Sequence, residues 1–349
     1  MGNIRLHLLC FLALILLIPN LLPAQEISLK SKKEAQYAYN KGIQSMGDNY
    51  WVALEYFSAA LDQNPLYDLA YLTRGKVNLE LKNLNEAIQD FTMAIEVNSS
   101  LGEAYFYRGY ARMNESPGEE VYSDLSSALL NGYQQAHVYY YRGLYKLLQD
   151  DYTGSIIDFT EAIQLNEDYS IAYHDRGTAK RLLGDYQGAI YDYRQAVNYQ
   201  PDFAQAYSNM GSVKIHLGDF QGAIDDYTVA IRLDTSFYQA YNNRGSAKYQ
   251  LGDYNGALED FNQVIRIRDD FSAVYNNKGN TLAKLNNNSE AIEALDKAVE
   301  LSDDFGQALL NRGFVKELIG DLNGACEDWN RAADLGVEEA VQYLSECEK

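Results

Sequence analysis

Glycine recurs at Gly75, Gly109, Gly143, Gly177, Gly211, Gly245, Gly279 and Gly313, each 34 residues from the last. A strict period of this length confines the chain to a row of like units, each too small to bury a core alone and so obliged to stack on its neighbours. Four residues before each glycine stands Tyr71, Tyr105, Tyr139, Tyr173, Tyr207, Tyr241 or Tyr275, with Leu309 closing the series. Twelve residues after it comes a small residue, as in Ala87, Ala189, Ala223, Ala257, Ala291 and Ala325. Four further on are Phe91, Leu125, Phe159, Tyr193, Tyr227, Phe261, Leu295 and Trp329, with Ala or Val three beyond, as in Ala94 and Val264. Steps of three and four residues are helical, so each unit holds two helices. Between them lie turns such as Gly184-Asp185, Gly218-Asp219, Gly252-Asp253 and Gly320-Asp321, where glycine ends one helix and aspartate caps the next.

A glycine inside a helix costs about 1 kcal/mol relative to alanine, so eight of them need a packing reason. Close approach of the paired helices supplies it: Gly177 facing Ala189 brings the backbones together while Tyr173 and Tyr193 fill the adjoining space. Hydrophobic residues make up 47% of the 349 and there are only 5 prolines, enough apolar surface for an extended core with few helix breakers. Such an array can run this length as one continuous body.

The order aromatic, Gly, Ala, aromatic, Ala at this period resembles the tetratricopeptide repeat (TPR). The resemblance covers residues 35–336 as nine repeats, counting a degenerate first unit around Gly42, Ala53, Phe57, Ala60 and Pro65. It implies an all-α fold, a right-handed α-solenoid or superhelix of tandem helix hairpins whose first helices line the concave side. Residues 337–349 are expected to form a C-terminal capping helix over the last hairpin. Departures mark where irregularity is expected. Glu115, Ser116, Pro117 and Gly118 replace the third turn and Val121 its small residue; Ser155 takes the small position in the fourth unit; Asn286, Asn287 and Asn288 replace the eighth turn.

Residues 1–24 carry Arg5, an apolar run from Leu8 to Ile18, then Pro19, Pro23 and Ala24 before Gln25, the pattern of a secretory signal peptide. Cleavage after Ala24 is expected, with a retained anchor as the alternative because Leu22 is bulkier than the usual small residue. Residues 25–34 read as a short linker. Near the C-terminus, GACEDWNRAADLG followed by a helix ending in Cys resembles exported TPR proteins of Gram-negative bacteria, which points to the periplasm or cell envelope. Removal of Cys10 with the leader leaves Cys326 and Cys347 in an oxidising compartment. They lie ten residues before and eleven after Gly336, at similar heights on antiparallel helices, and a disulfide is expected, against the alternative of two buried thiols.

The formal charge is −20, with 49 acidic and 29 basic residues, which disfavours nucleic acid and leaves basic partner segments possible. Arg74, Arg108, Arg142, Arg176, Arg244 and Arg312 precede the repeat glycines, and Asp90, Asp124, Asp158, Asp192, Asp226, Asp260 and Asp328 precede the second-helix aromatics. Rows this regular are expected to pair with each other as a partly buried ladder, broken in the eighth unit by Lys278 and Ala294. His137, His174 and His216 are too far apart for a same-helix metal pair and read as ordinary polar residues. Nucleophile elbows and phosphate loops are absent from the sequence. Neither a cofactor nor a catalytic residue is expected.

A TPR groove is read by first-helix residues displaced from the core positions. Two before each glycine stand Thr73, Tyr107, Tyr141, Asp175, Asn209, Asn243, Asn277 and Asn311. The four asparagines, with Asn242, Asn276 and Asn280 nearby, resemble the asparagine ladder in the TPR superhelix of O-linked N-acetylglucosamine transferases, whose catalytic domain is absent here. An amide both accepts and donates, so each can match a peptide group of an extended ligand; the alternative is a merely tolerated polar position. Tyr107, Tyr110, Tyr140 and Tyr141, with Phe106, form a second candidate surface, whose alternative is packing against neighbouring repeats. Leu144, Thr178, Ser212 and Ser246, one past the glycines, do not supply the Lys, Arg and Asn set that clamps a peptide carboxylate. The expected function is a non-catalytic scaffold or adaptor binding an extended peptide or partner protein. An assembly factor or chaperone for exported proteins is the alternative, and an enzyme with a cryptic site the third.

Overall fold

A computed structural model describes residues 27–347; the expected leader over 1–24 lies outside the described residues. All regular elements among the described residues are helices. They group into two compact units dividing after Gln134, where a single continuous body was expected. The division follows the third hairpin, the one with the aberrant turn.

The first unit holds three hairpins: α1 (Leu29–Ser45) with α2 (Tyr50–Gln63), α3 (Asp68–Glu80) with α4 (Leu84–Val97), and α5 (Gly102–Glu115) with α6 (Glu119–Leu130). The second holds six. These are α7 (Ala136–Leu148) with α8 (Tyr152–Leu165), α9 (Ser170–Leu182) with α10 (Tyr186–Tyr199), and α11 (Ala204–His216) with α12 (Phe220–Leu233). There follow α13 (Tyr238–Gln250) with α14 (Tyr254–Ile267), α15 (Ser272–Lys284) with α16 (Asn288–Leu301), and α17 (Gly306–Leu318) with α18 (Leu322–Asp334). Within each unit a second helix packs on its own first helix and on the next one, and successive first helices also touch. Residues 29–34, expected as linker, already belong to α1, because Ser28 caps it by accepting from the Ser31 N–H.

Turn chemistry follows the sequence closely. Gly184, Gly218, Gly252 and Gly320 all have positive φ, and Asp185, Asp219, Asp253 and Asp321 each accept from a backbone N–H three residues on. Such a cap is worth about 1 kcal/mol. Asn286 adopts the same left-handed conformation (φ 63°) without being glycine, which accommodates the eighth turn. The third turn is extended instead, Ser116 at φ −159° and Gly118 at φ −118°, and the irregularity stays local. The glycine row does what close approach requires: a Cβ on Gly245 would lie 2.7 Å from Cε1 of the buried Phe261.

The charged ladder forms in both units. Arg74 to Asp90, Arg108 to Asp124, Arg142 to Asp158, Arg176 to Asp192, Arg244 to Asp260 and Arg312 to Asp328 are all 2.6–2.7 Å apart. Each Arg also reaches back one repeat where Ser58, Thr92, Thr160, Thr228 or Asp296 offers an oxygen, so the ladder ties hairpins together as well as closing them. Sequence reasoning missed a second cation three residues past the glycine. Lys146, Lys180, Lys214, Lys248 and Lys316 each lie 2.7–2.9 Å from the same Asp, with Arg112 in that role in the third repeat. The eighth repeat replaces all three members, with Lys278, Leu282 and Ala294.

The C-terminal cap is two short helices, α19 (Glu338–Val341) and α20 (Leu344–Cys347), in place of the single helix expected. The ladder breaks because Gln342 and Tyr343 donate three residues back, to Glu339 and Ala340. That turn lays Tyr343 against Phe314 and Trp329, with ring centroids 4.7 and 5.3 Å apart. Cys326 and Cys347 are joined as a disulfide with Cα atoms 5.7 Å apart, linking α20 to α18. No helix among the described residues is long and apolar enough to cross a membrane.

Candidate binding groove

The asparagines expected to face a ligand bond first to one another. The residue three before the glycine in one repeat meets the residue two before it in the next. Tyr140 OH donates to Asp175 (2.9 Å), Asn209 Nδ2 meets His174 Nε2 (2.9 Å), Asn277 Nδ2 donates to Asn242 Oδ1 (3.1 Å), and Asn311 Nδ2 donates to Asn276 Oδ1 (2.7 Å). Within repeats His174 Nδ1 contacts Asp175 (2.8 Å), and Asn242 and Asn276 donate to Asn243 and Asn277 at 3.3 and 3.5 Å. Because the Asp175 carboxylate accepts, Nδ1 of His174 carries a proton, and Nε2 meets the Asn209 amide on the other side. His174, expected as an ordinary polar residue, is therefore a structural member of a zigzag polar spine.

The spine runs from Tyr140 on α7 to Asn209 on α11, and again from Asn243 on α13 through Asn242, Asn277, Asn276 and Asn311 to Gln307 on α17. Among the described residues no such bond joins α11 to α13. There Ser208 occupies the position that Tyr140, His174, Asn242 and Asn276 hold elsewhere, and its side chain is too short to span the repeats. Asn276, expected at the ligand surface, is buried with its amide engaged on both sides, so it belongs to the spine.

A cavity of about 530 Å³ opens where the spine is interrupted. Ser212, Ile215 and His216 of α11, Phe220 and Tyr227 of α12, and Asn243, Ser246, Ala247 and Gln250 of α13 line it. Its neighbour, about 210 Å³, shares Ser246 and Gln250 and adds Tyr249, Phe261, Asn277, Asn280 and Thr281. The two form a concavity across three repeats, lined by amides, hydroxyls, the His216 imidazole and apolar groups and by no carboxylate, Lys or Arg.

The row of second-helix residues reads Phe57, Phe91, Leu125, Phe159, Tyr193, Tyr227, Phe261, Leu295 and Trp329; Tyr193 sends its hydroxyl to Thr178 Oγ1 at 3.2 Å, and Tyr227 in the cavity lining follows the same pattern. The ring is fully buried, yet its hydroxyl passes the helix contact at Gly211 and meets Ser212 Oγ at 3.0 Å. Burial raises the phenol pKa, with hydrogen bonds to Ser212 and Asn243 opposing, so the group stays neutral and able both to donate and to accept. His216 Nδ1 lies 2.8 Å from the Ser212 carbonyl oxygen, which can only accept. Nδ1 is therefore the donor to that carbonyl.

Tetratricopeptide-repeat profiles match residues 47–100, 204–237, 238–271 and 272–305, and a TPR-repeat profile matches 177–215; together they span more than half of the chain. The chain belongs to the tetratricopeptide repeat family. Two solved TPR proteins share the fold. One, from Parabacteroides merdae, is 17% identical over 71% of this chain and 98% of its own, with TM-score 0.55. The other, the C-terminal part of a TPR repeat-containing protein from Cytophaga hutchinsonii, is 18% identical over 68% of this chain and 99% of its own, with TM-score 0.58. At these identities the likeness is one of fold. No curated protein sequence matches the chain.

The aromatic candidates on the TPR first helices are largely packing residues. In the first unit Tyr107 stacks on Phe91 with centroids 5.7 Å apart and lies under Lys76 Nζ at 4.6 Å. Tyr110 stacks on Phe106, itself buried. In the second unit Tyr140, expected at the surface, is 5% exposed and spends its hydroxyl on Asp175. Burial is the main cause of its raised pKa. Tyr141 meets the Tyr140 ring edge-on at 5.2 Å.

Proposed function

We propose that this TPR protein is a non-catalytic interaction module that holds an extended segment of a partner protein in the groove of α11, α13 and α15. The observation that carries this reading is the concavity at the interrupted spine, where Asn243 and Asn277, one repeat apart, come to the lining with Asn280 beside them. Each spine amide uses about one donor and one acceptor internally, which leaves a second N–H and a second lone pair for peptide groups. The family's usual role as a binding scaffold agrees with this. An assembly factor or chaperone for exported proteins uses the same groove, and many unfolded clients in place of one stoichiometric partner would favour it. The apolar leader and the Cys326–Cys347 pair support an exported, envelope-located protein, most simply a periplasmic one in a Gram-negative cell.

Replacing Asn277 would cut the spine, so the informative variant is Asn243→Ala with Asn280→Ala, at the end of the spine and beside it. Affinity for the captured partner, measured by calorimetry, should fall by about 1–3 kcal/mol with helical content unchanged. Unaltered affinity in the folded double variant would place the ligand elsewhere.

A further inference from the structure

Resting on the groove reading, we propose that the larger cavity is the anchor subsite and that it takes a tyrosine side chain from an uncharged stretch of the bound segment. Its walls are apolar, supplied by Ile215, Phe220 and Ala247, and Phe220 offers a ring against which another ring can lie. Of its polar groups, His216, Ser246 and Gln250 line it beside Ser212, Tyr227 and Asn243, and these last three converge where the spine is broken. Ser212 and Asn243 both bond the Tyr227 hydroxyl, and an aliphatic anchor would cover their remaining hydrogen-bonding capacity without matching it. An ammonium anchor would be desolvated against a lining without a carboxylate, and a carboxylate against one that holds no Lys or Arg and a single His. A phenol satisfies both halves: its ring fills the apolar walls, while its hydroxyl donates to one floor oxygen and accepts from another donor. The volume of about 530 Å³ falls within the range of sites that enclose small ligands, room for an aromatic side chain and its flanking backbone.

The repeat itself provides variants that the fold accepts. Phenylalanine already stands at the Tyr227 register in four repeats, so Tyr227→Phe removes the floor hydroxyl alone. Phe314 and Tyr110 stand at the Ser246 register, so Ser246→Phe fills the cavity with a ring used at that position elsewhere in the chain. The experiment is selection of random peptides displayed on phage against the whole protein, followed by calorimetry on a selected synthetic peptide and its Tyr→Phe and Tyr→Leu versions. The expected result is enrichment of tyrosine among uncharged neighbours, with about tenfold preference for the tyrosine over the phenylalanine peptide. That ratio should collapse toward one in Tyr227→Phe, and binding should be lost in Ser246→Phe, both with native circular dichroism. Peptides that respond to Asn243→Ala with Asn280→Ala but not to Ser246→Phe would overturn the anchor while leaving the groove. Enrichment of charged or aliphatic anchors would also overturn it, and failure to select any peptide would count against groove and anchor together.

Discussion

At the residue scale, the rows of the repeat are most instructive where one member is missing. Met210 replaces the arginine of the sixth repeat, leaving Asp226 with Lys214 Nζ at 2.7 Å and with Arg194 acting on it through space in place of a paired guanidinium. Burial raises the Asp226 pKa above 3.8 despite the opposing Lys214. A carboxyl whose folded value is raised contributes most to stability below its unfolded value, and that contribution is lost as pH rises through the folded value. Met210→Arg should give Asp226 the paired geometry Asp192 has with Arg176, so the stability advantage of the variant should widen as pH climbs from about 4 to about 7, reaching about 1–3 kcal/mol. Amide hydrogen exchange in α12 measures it; a gap that does not change with pH would mean the arginine fails to reach Asp226. The Arg and Asp rows were readable from spacing alone. The Lys row at Lys146, Lys180, Lys214, Lys248 and Lys316 was equally regular but was overlooked beside the more obvious pairing. The spine was less accessible, since bonds between residues 35 apart depend on which rotamers neighbouring repeats allow, and nothing in an Asn-Asn pair announces them.

At the element scale, the hairpin follows from four local choices: left-handed glycine at the turn, an aspartate cap, a first-helix glycine and a second-helix aromatic above it. All four were visible in the sequence, and so was an irregularity at the third turn, though not its extended form. The cap's two-helix form is not legible in the sequence, because the break at Gln342 and Tyr343 comes from Tyr343 seeking Phe314 and Trp329, a tertiary preference that periodicity does not carry. The disulfide closes a separation of 21 residues, and a bridge over such a loop contributes about 3 kcal/mol by constraining the unfolded chain. Protein recovered from an oxidising compartment should be two hydrogens lighter than its reduced form. Cys326→Ser with Cys347→Ser should lose exchange protection in α18 and the cap well before the middle hairpins. Two freely alkylated thiols in that material would remove the bridge from the account.

For the whole molecule, the contrast that matters is between a formal charge of −20 and a concavity lined by no acid and no base other than His216. An acidic exterior keeps a repeat array soluble and discourages anionic partners; a neutral lining at one break in the spine selects by hydrogen bonding and shape. The most direct measurement is site-specific photocrosslinking in the native host, with the photoreactive residue at the exposed Gln250 or at Asn280 in the groove, or at the exposed Glu259 on α14 as control. A segment bound in the groove predicts one partner captured from positions 250 and 280 and not from 259, with the crosslinked peptide mapping to a single uncharged stretch of that partner. Capture from 259 with none from 250 and 280 would contradict the groove as the site of recognition.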